Sequence, residues 1–218
     1  MTRHLRISPI LAFLLCCLLA VAVYFPGLSG DYLFDDTTNL LGNKALLIDT
    51  LDVDTLHQAA FSSKSGELRR PVSMASFALN RYFLGGDPYS FKVINLIIHL
   101  LTGLALYGLT RTIMRSYQAL HSPGLSAGVI RWLPVVTTGI WLVHPLNLTS
   151  VLYIVQRMTS LSSLFMVCAL YLYMVGRQRM LEDRHGLSWI ITGLCLFGGL
   201  AIFSKEIGIL LPLSLIHI

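Results

Sequence analysis

Charge is scarce in this chain. Of 218 residues only 12% are Asp, Glu, Lys or Arg, whereas 55% are hydrophobic. Soluble domains carry about twice that charged share, which excludes a water-soluble globular fold. Cysteine is also sparse, and Cys16, Cys17, Cys168 and Cys195 all lie inside apolar runs. With none in a polar loop, no disulfide framework is implied, and they read as small membrane-buried hydrophobes. There is no internal repeat and no low-complexity tract. No basic stretch is interleaved with aromatics either, so the net charge of +5 points away from nucleic acid as a partner.

What the chain has is long apolar runs. The first, Ile7 to Phe25, is long enough to cross the roughly 30 Å of bilayer hydrocarbon. Ala20-Val-Ala22 has the look of a signal-peptidase site, but the length of the run favours a retained anchor. Further apolar segments run from Phe91 to Met114, Trp132 to Leu148, Ser160 to Gly176 and Leu187 to Phe203, and a sixth begins at Ile207. The expected fold is an all-α membrane protein with about five complete transmembrane helices plus the start of a sixth. It divides into an N-terminal anchor (1–26), an extracytoplasmic loop (27–90) and a transmembrane bundle (91–218). The ending LSLIHI, Leu213 to Ile218, matches the translation of a common transposase sequencing adaptor, so these residues are expected to be non-native and the gene cut there.

With the N-terminus inside, Arg111, Arg115, Arg131, Arg177, Arg179 and Arg184 all fall in short cytoplasmic loops, as the positive-inside rule requires. All acids except Glu182 and Asp183 then face outward. The basic balance is a matter of topology and of contact with anionic membrane lipids. Within the outward segment, Val72, Ala75, Phe77, Leu79, Tyr82 and Phe83 give a mostly apolar helix opened by Pro71 and closed by Gly85-Gly86. It is too short to span, and is expected to lie at the outer interface.

Ionisable groups near lipid are costly and mark functional sites. Asp31, Asp35 and Asp36 follow the first span; Asn95 and His99 are one helical turn apart in the outer half of the second. His144 caps the third, Gln156 and Arg157 open the fourth, and Lys205 and Glu206 lie between the fifth and sixth. All converge on the outer face. A carboxylate can accept a proton from a hydroxyl nucleophile, while Arg69, Arg70, Arg157 and Lys205 can neutralise a phosphate, arginine in bidentate fashion. That combination suits group transfer from a lipid phosphate. Plainer readings stand beside it: Asp35-Asp36 as a turn or helix cap, His99 as a packing residue, Arg157 as a snorkelling side chain. Asp52-Val-Asp54 reads as solvated surface before it reads as a metal-binding DxD. Ser204-Lys205 as a hydrolytic dyad and Asn147-Leu-Thr149 as a glycosylation sequon are patterns only.

Four pieces occur in order: GDYLFDDTTNLLGN, RRPVSMASFALNRYFLGGDPYSFKVINLIIHLL, WLVHPLNLTSVLYIVQRMTSLSSLF and FSKEIGILLPL. Together they resemble the membrane half of the transmembrane, tetratricopeptide-containing O-mannosyltransferases and their bacterial relatives, within the GT-C class of glycosyltransferases. The resemblance implies a polyprenyl-phosphate-sugar donor, a protein or glycan acceptor hydroxyl, and inverting transfer with Asp35 or Asp36 as general base. Arg70, His144, Arg157 and Lys205 match motif positions and are candidates for the donor phosphate; Asp31, Asn95, His99, Gln156 and Glu206 are supporting candidates. Asn147 stands where many relatives have a second His, so no metal site and no other cofactor is assigned, a divalent metal being left open. The form VQRM is nearer the bacterial branch, which implies the inner membrane with the site facing the periplasm. The alternatives are another envelope polysaccharide ligase or polymerase, or a non-enzymatic transporter or assembly protein, whose polar groups would more often sit at mid-membrane.

Overall fold

The computed structural model describes residues 7–121 and 125–216. The basic flank Met1–Arg6 and the last two residues of the adaptor-like tail lie outside the described residues. Those described are helical, with no strand among them.

Helix α1, Pro9–Tyr24, starts with proline in its first turn and a Ser8 cap, whose Oγ accepts from the Leu11 amide at 3.1 Å. The segment between the first two spans carries a short helix α2, Val53–Ala60, and α3, Pro71–Leu84. Helix α4, Pro88–Leu120, is capped by Asp87, which accepts from the Ser90 amide at 2.8 Å. Its 33 residues span about 50 Å at 1.5 Å each, so its ends project beyond the hydrocarbon. It is the central helix, packed against α5, Ala127–Leu142, and α7, Arg157–Leu181, with the short α6, Leu148–Leu152, between those two. The fifth apolar segment is built from α8, Leu187–Ile191, a wide π turn over Thr192–Phe197, and α9, Gly198–Ser204; α10, Leu211–Ile216, follows a 3-10 stretch.

Four of these stretches are long and apolar enough to cross a membrane: Pro9–Gly27, Pro88–Leu120, Ile154–Leu181 and Leu187–Ser204. The protein is a multi-pass, all-α membrane protein. The third expected span is not a single rod. It ends at Leu142, and the chain resumes over Pro145–Leu152 at an angle of 52°. Pro145 has no amide to continue the helix and holds His144 extended (ψ 131), so Leu148 belongs to the bent segment instead of the span.

Two apolar clusters hold the site-bearing end together. Phe13, Ala20, Tyr24, Leu28, Leu96, Leu142 and Val151 join α1 to α4, α5 and α6. Leu40, Leu46, Met74, Phe77, Phe91, Ile154 and Met158 seat the segment between the first two spans on the bundle. Helix α3 is more deeply set than an interfacial helix need be. Its Ser73, Met74, Phe77, Ala78 and Asn80 are buried, while Tyr82, Phe83 and Leu84 remain exposed. Of the residues expected to form its apolar face, only Phe77 reaches the core.

Candidate active site

The two adjacent aspartates separate. Phe34 adopts φ 40° and is 85% exposed; a bulky residue in the left-handed region is strained, and the turn it makes sends the next two side chains different ways. Asp36 is fully buried. Its Oδ2 accepts from the Leu33 amide at 3.0 Å and its Oδ1 from the Val155 amide at 2.7 Å. Burial pushes the Asp36 carboxyl above the ordinary carboxylate value, and those amides and Lys92 offset this only in part. Asp35 is exposed. Its backbone is tied down, the amide donating to the Tyr153 hydroxyl at 3.1 Å and the carbonyl accepting from Asn39 Nδ2 at 2.9 Å. The residue borders a polar cavity of about 460 Å³ shared with Asn39, Asn43, Ser62, Ser63 and Lys64.

Lys92 is a site residue that sequence reasoning missed. It is 2% exposed, and its Nζ donates to the carbonyls of Gly30 at 2.7 Å and Asp31 at 3.3 Å. It thus fixes the exit of the first span beneath the acid pair. A signal was available: a lone cation flanked by Phe91 and Val93 must find partners if the span is buried.

Arg157 is also fully buried, and four hydrogen bonds hold its guanidinium. Nε donates to Asn95 Oδ1 at 2.7 Å, Nη1 to the Ser76 carbonyl at 3.2 Å, and Nη2 to Asn80 Oδ1 at 2.7 Å and the Phe91 carbonyl at 2.8 Å. The guanidinium lies 4.7 Å from the Phe77 ring centroid and 5.4 Å from that of Phe91, a cation–π seat. Asn95 passes the hold on, its Nδ2 donating to the carbonyls of Val151 and Ile154, each at 3.3 Å. Arg157 is therefore the pin that fastens α3, α4 and α7 together, and no free donor of it faces solvent.

Two other cations remain reachable. Arg70 Nε pairs with Glu206 Oε2 at 3.0 Å, the side chains being 19% and 35% exposed, while its Nη1 meets Met158 Sδ at 3.4 Å. Arg69 and Arg70 both hold positive φ (55° and 49°) before Pro71, a second strained turn beside the same region. Lys205 Nζ donates to Thr159 Oγ1 at 2.8 Å, and Thr159 Oγ1 to Gln156 Oε1 at 2.7 Å. Burial, and then the neighbouring Arg70 charge, lower the Lys205 ammonium below its usual value, with Glu206 opposing.

One stretch receives all of these groups. Tyr153 meets Asp35, Val155 meets Asp36, Met158 meets Arg70 and Thr159 meets Lys205. Seven residues at the head of α7 thus connect the loop after the first span with the loop before α10.

The remaining candidates lie apart from this contact line. Asp31 is exposed and its Oδ1 accepts from the Tyr32 amide at 2.9 Å. His144 is exposed, its Nδ1 accepting from the Leu146 amide at 3.3 Å. His99 is buried, bonded to the Leu142 carbonyl at 2.9 Å and stacked on Trp141 with centroids 4.6 Å apart. Asn147 Nδ2 donates to the Trp141 carbonyl at 2.7 Å. Ser204 is buried with its hydroxyl on the Leu200 carbonyl, turned away from any dyad with Lys205. Asp52 caps α2, accepting from the Thr55 amide at 2.9 Å. Among the described residues no three His, Cys, Asp or Glu side chains gather as a metal site would need.

The fold and site define a multi-pass helical membrane protein whose loop after the first span docks an acid pair at the head of a later span, beside two reachable cations. The chain is 25% identical over 211 residues to the human protein O-mannosyl-transferase TMTC4, covering 93% of this chain and 28% of that protein. It is 27% identical to the mouse protein O-mannosyl-transferase TMTC2 over 208 residues (91% and 23%). It is 26% identical to the Caenorhabditis elegans protein O-mannosyl-transferase F38B6.6 over 165 residues (73% and 22%). The four-motif resemblance is borne out: the chain is related to the transmembrane, tetratricopeptide-containing O-mannosyltransferases, and it spans about a quarter of the length of these relatives. No family model and no solved structure matches it.

Proposed function

We propose that the protein is a GT-C type glycosyltransferase that moves a mannose from a polyprenyl-phosphate donor to a protein hydroxyl, at the outer face of a bacterial inner membrane. Asp35 is the general base. The acceptor oxygen attacks the anomeric carbon while Asp35 takes its proton; the bond from that carbon to the phosphate oxygen breaks, and the electron pair leaves with the lipid phosphate. Arg70 and Lys205 meet the developing charge. An arriving phosphate suits Lys205, whose charge is disfavoured by burial and by Arg70, and it competes with Glu206 for Arg70. Asp36, Lys92 and Arg157 position these groups without touching substrate.

What carries this reading is one observation: the exposed Asp35 and the reachable Arg70 and Lys205 all dock on residues 153–159. The polar cavity beside Asp35 suits a hydroxyl-bearing acceptor, and the relatives are named protein O-mannosyl-transferases. The test uses membranes carrying the protein and radiolabelled mannosyl polyprenyl phosphate. Asp35→Asn is expected to lower transfer at least about a hundredfold, the usual scale for losing a general base. Lys205→Ala is expected to raise the donor KM. Undiminished transfer by Asp35→Asn, or no transfer from such a donor by the unaltered protein, overturns the reading.

A further inference from the structure

The opposite end of the bundle carries a second cationic feature that the candidate site does not use. Along α4, Arg111 lies 19 residues beyond Lys92, about 28 Å at 1.5 Å per residue, close to the thickness of the hydrocarbon core. There a cavity of about 420 Å³ is bordered by Arg111 and Arg115 from α4, Arg131 from α5, and Ser8 at the start of α1. A second cavity of about 580 Å³ adjoins it, sharing Tyr107, Arg111 and Arg115. It runs between α4 and α7 and is lined by Leu101, Leu104, Leu164, Phe165 and Phe197. No Asp or Glu lines either cavity, and among the described residues none of the three arginines pairs with an acid. On that side Glu182 pairs with Arg184 at 3.8 Å.

Three cations at one bilayer boundary, two of which also line an adjoining apolar groove between α4 and α7, match one kind of molecule on both counts. A phosphate fits the cations, and a hydrocarbon chain joined to it fits the groove. Neither cavity alone would say so: arginines by themselves suit any anion, and an apolar groove by itself suits any greasy surface. We infer that this end of the bundle is a binding site for an anionic phospholipid, its phosphate on Arg111, Arg115 and Arg131 and an acyl chain between α4 and α7. The inference is independent of the proposed transfer reaction. Such a lipid would fasten the junction of α1, α4 and α5.

The test is native mass spectrometry of the detergent-purified protein with dioleoyl phosphatidylglycerol, with dioleoyl phosphatidylcholine as the neutral comparison. The unaltered protein is expected to retain the anionic lipid at least about tenfold better. Each of Arg111→Gln, Arg115→Gln and Arg131→Gln is expected to weaken retention about fivefold, the scale for one cation near a lipid surface. The triple lysine variant is expected to keep the preference, which separates loss of charge from loss of fold. Leu104→Trp, which fills the groove, is expected to reduce retention while leaving the headgroup cations in place. Equal retention of the two lipids, or an undiminished preference in the triple glutamine variant, overturns the inference. Glycerol phosphate displacing the lipid at equal concentration would reassign the site to free phosphate and overturn the acyl-chain half.

Discussion

Two sets of cations meet at the head of α7 and have opposite circumstances. Arg157 sits at the first position of α7, fully buried, with four hydrogen bonds and two aromatic faces around it. Arg70 and Lys205 meet the very next residues, Met158 and Thr159, yet both keep solvent access. From sequence all three are cations beside a membrane. Burial and donor accounting separate them: a guanidinium whose donors are taken by protein acceptors is architecture, and one held by a half-exposed carboxylate can still exchange partners. The aspartates repeat the pattern, Asp36 being enclosed by two amides and Asp35 left open.

The largest effect should come from breaking the architectural member. Arg157→Leu leaves Asn95, Asn80 and two carbonyls without their donor, and is expected to cost about 3–5 kcal/mol, read as a fall in unfolding temperature in detergent. Arg157→Lys should restore little of this, because an ammonium cannot reproduce the fork. Next comes the acid pair: Asp36→Ala leaves two partly buried amides without their acceptor and is expected to cost about 1–3 kcal/mol, whereas Asp35→Ala should change stability by no more than about 0.5 kcal/mol. Equal destabilisation by both would erase the distinction drawn between them. Breaking the half-exposed pair with Arg70→Gln should cost less than about 1 kcal/mol, since solvent screens it. The smallest effect is a pH dependence. Burial raises the Asp36 carboxyl above its unfolded value, so the folded state holds that proton more tightly. Its stabilising contribution is present at low pH and is lost as the pH rises through the folded value. Asp36→Asn, which cannot titrate, should flatten that part of the unfolding-temperature profile.

Much of the architecture was legible beforehand. Long apolar runs announced the spans, Pro71 and Gly85 bracketed α3, and the order of the four motifs pointed to the relatives. What was not legible depends on contacts between residues far apart in the chain. That Arg157 would be enclosed by Asn80, Phe91 and Asn95 follows from three helices meeting, which periodicity along one helix does not encode. Lys92 was hidden by its apolar neighbours, its role set by the carbonyls of a loop some sixty residues earlier. The separation of Asp35 from Asp36 rests on the positive φ of Phe34, a conformation its residue type argues against. The bend after Leu142 could have been read from His144-Pro145, since proline restricts both residues.

The most direct check sets Asp35→Asn and Asp36→Asn side by side in one membrane preparation, with mannose transfer from polyprenyl-phosphate mannose and unfolding temperature both measured. If Asp35 is the base and Asp36 its support, Asp35→Asn keeps the unfolding temperature and loses transfer, while Asp36→Asn lowers the unfolding temperature and retains transfer in proportion to the folded fraction. An Asp35→Asn protein that transfers mannose at the unaltered rate, with Asp36→Asn stable but inactive, would contradict the account.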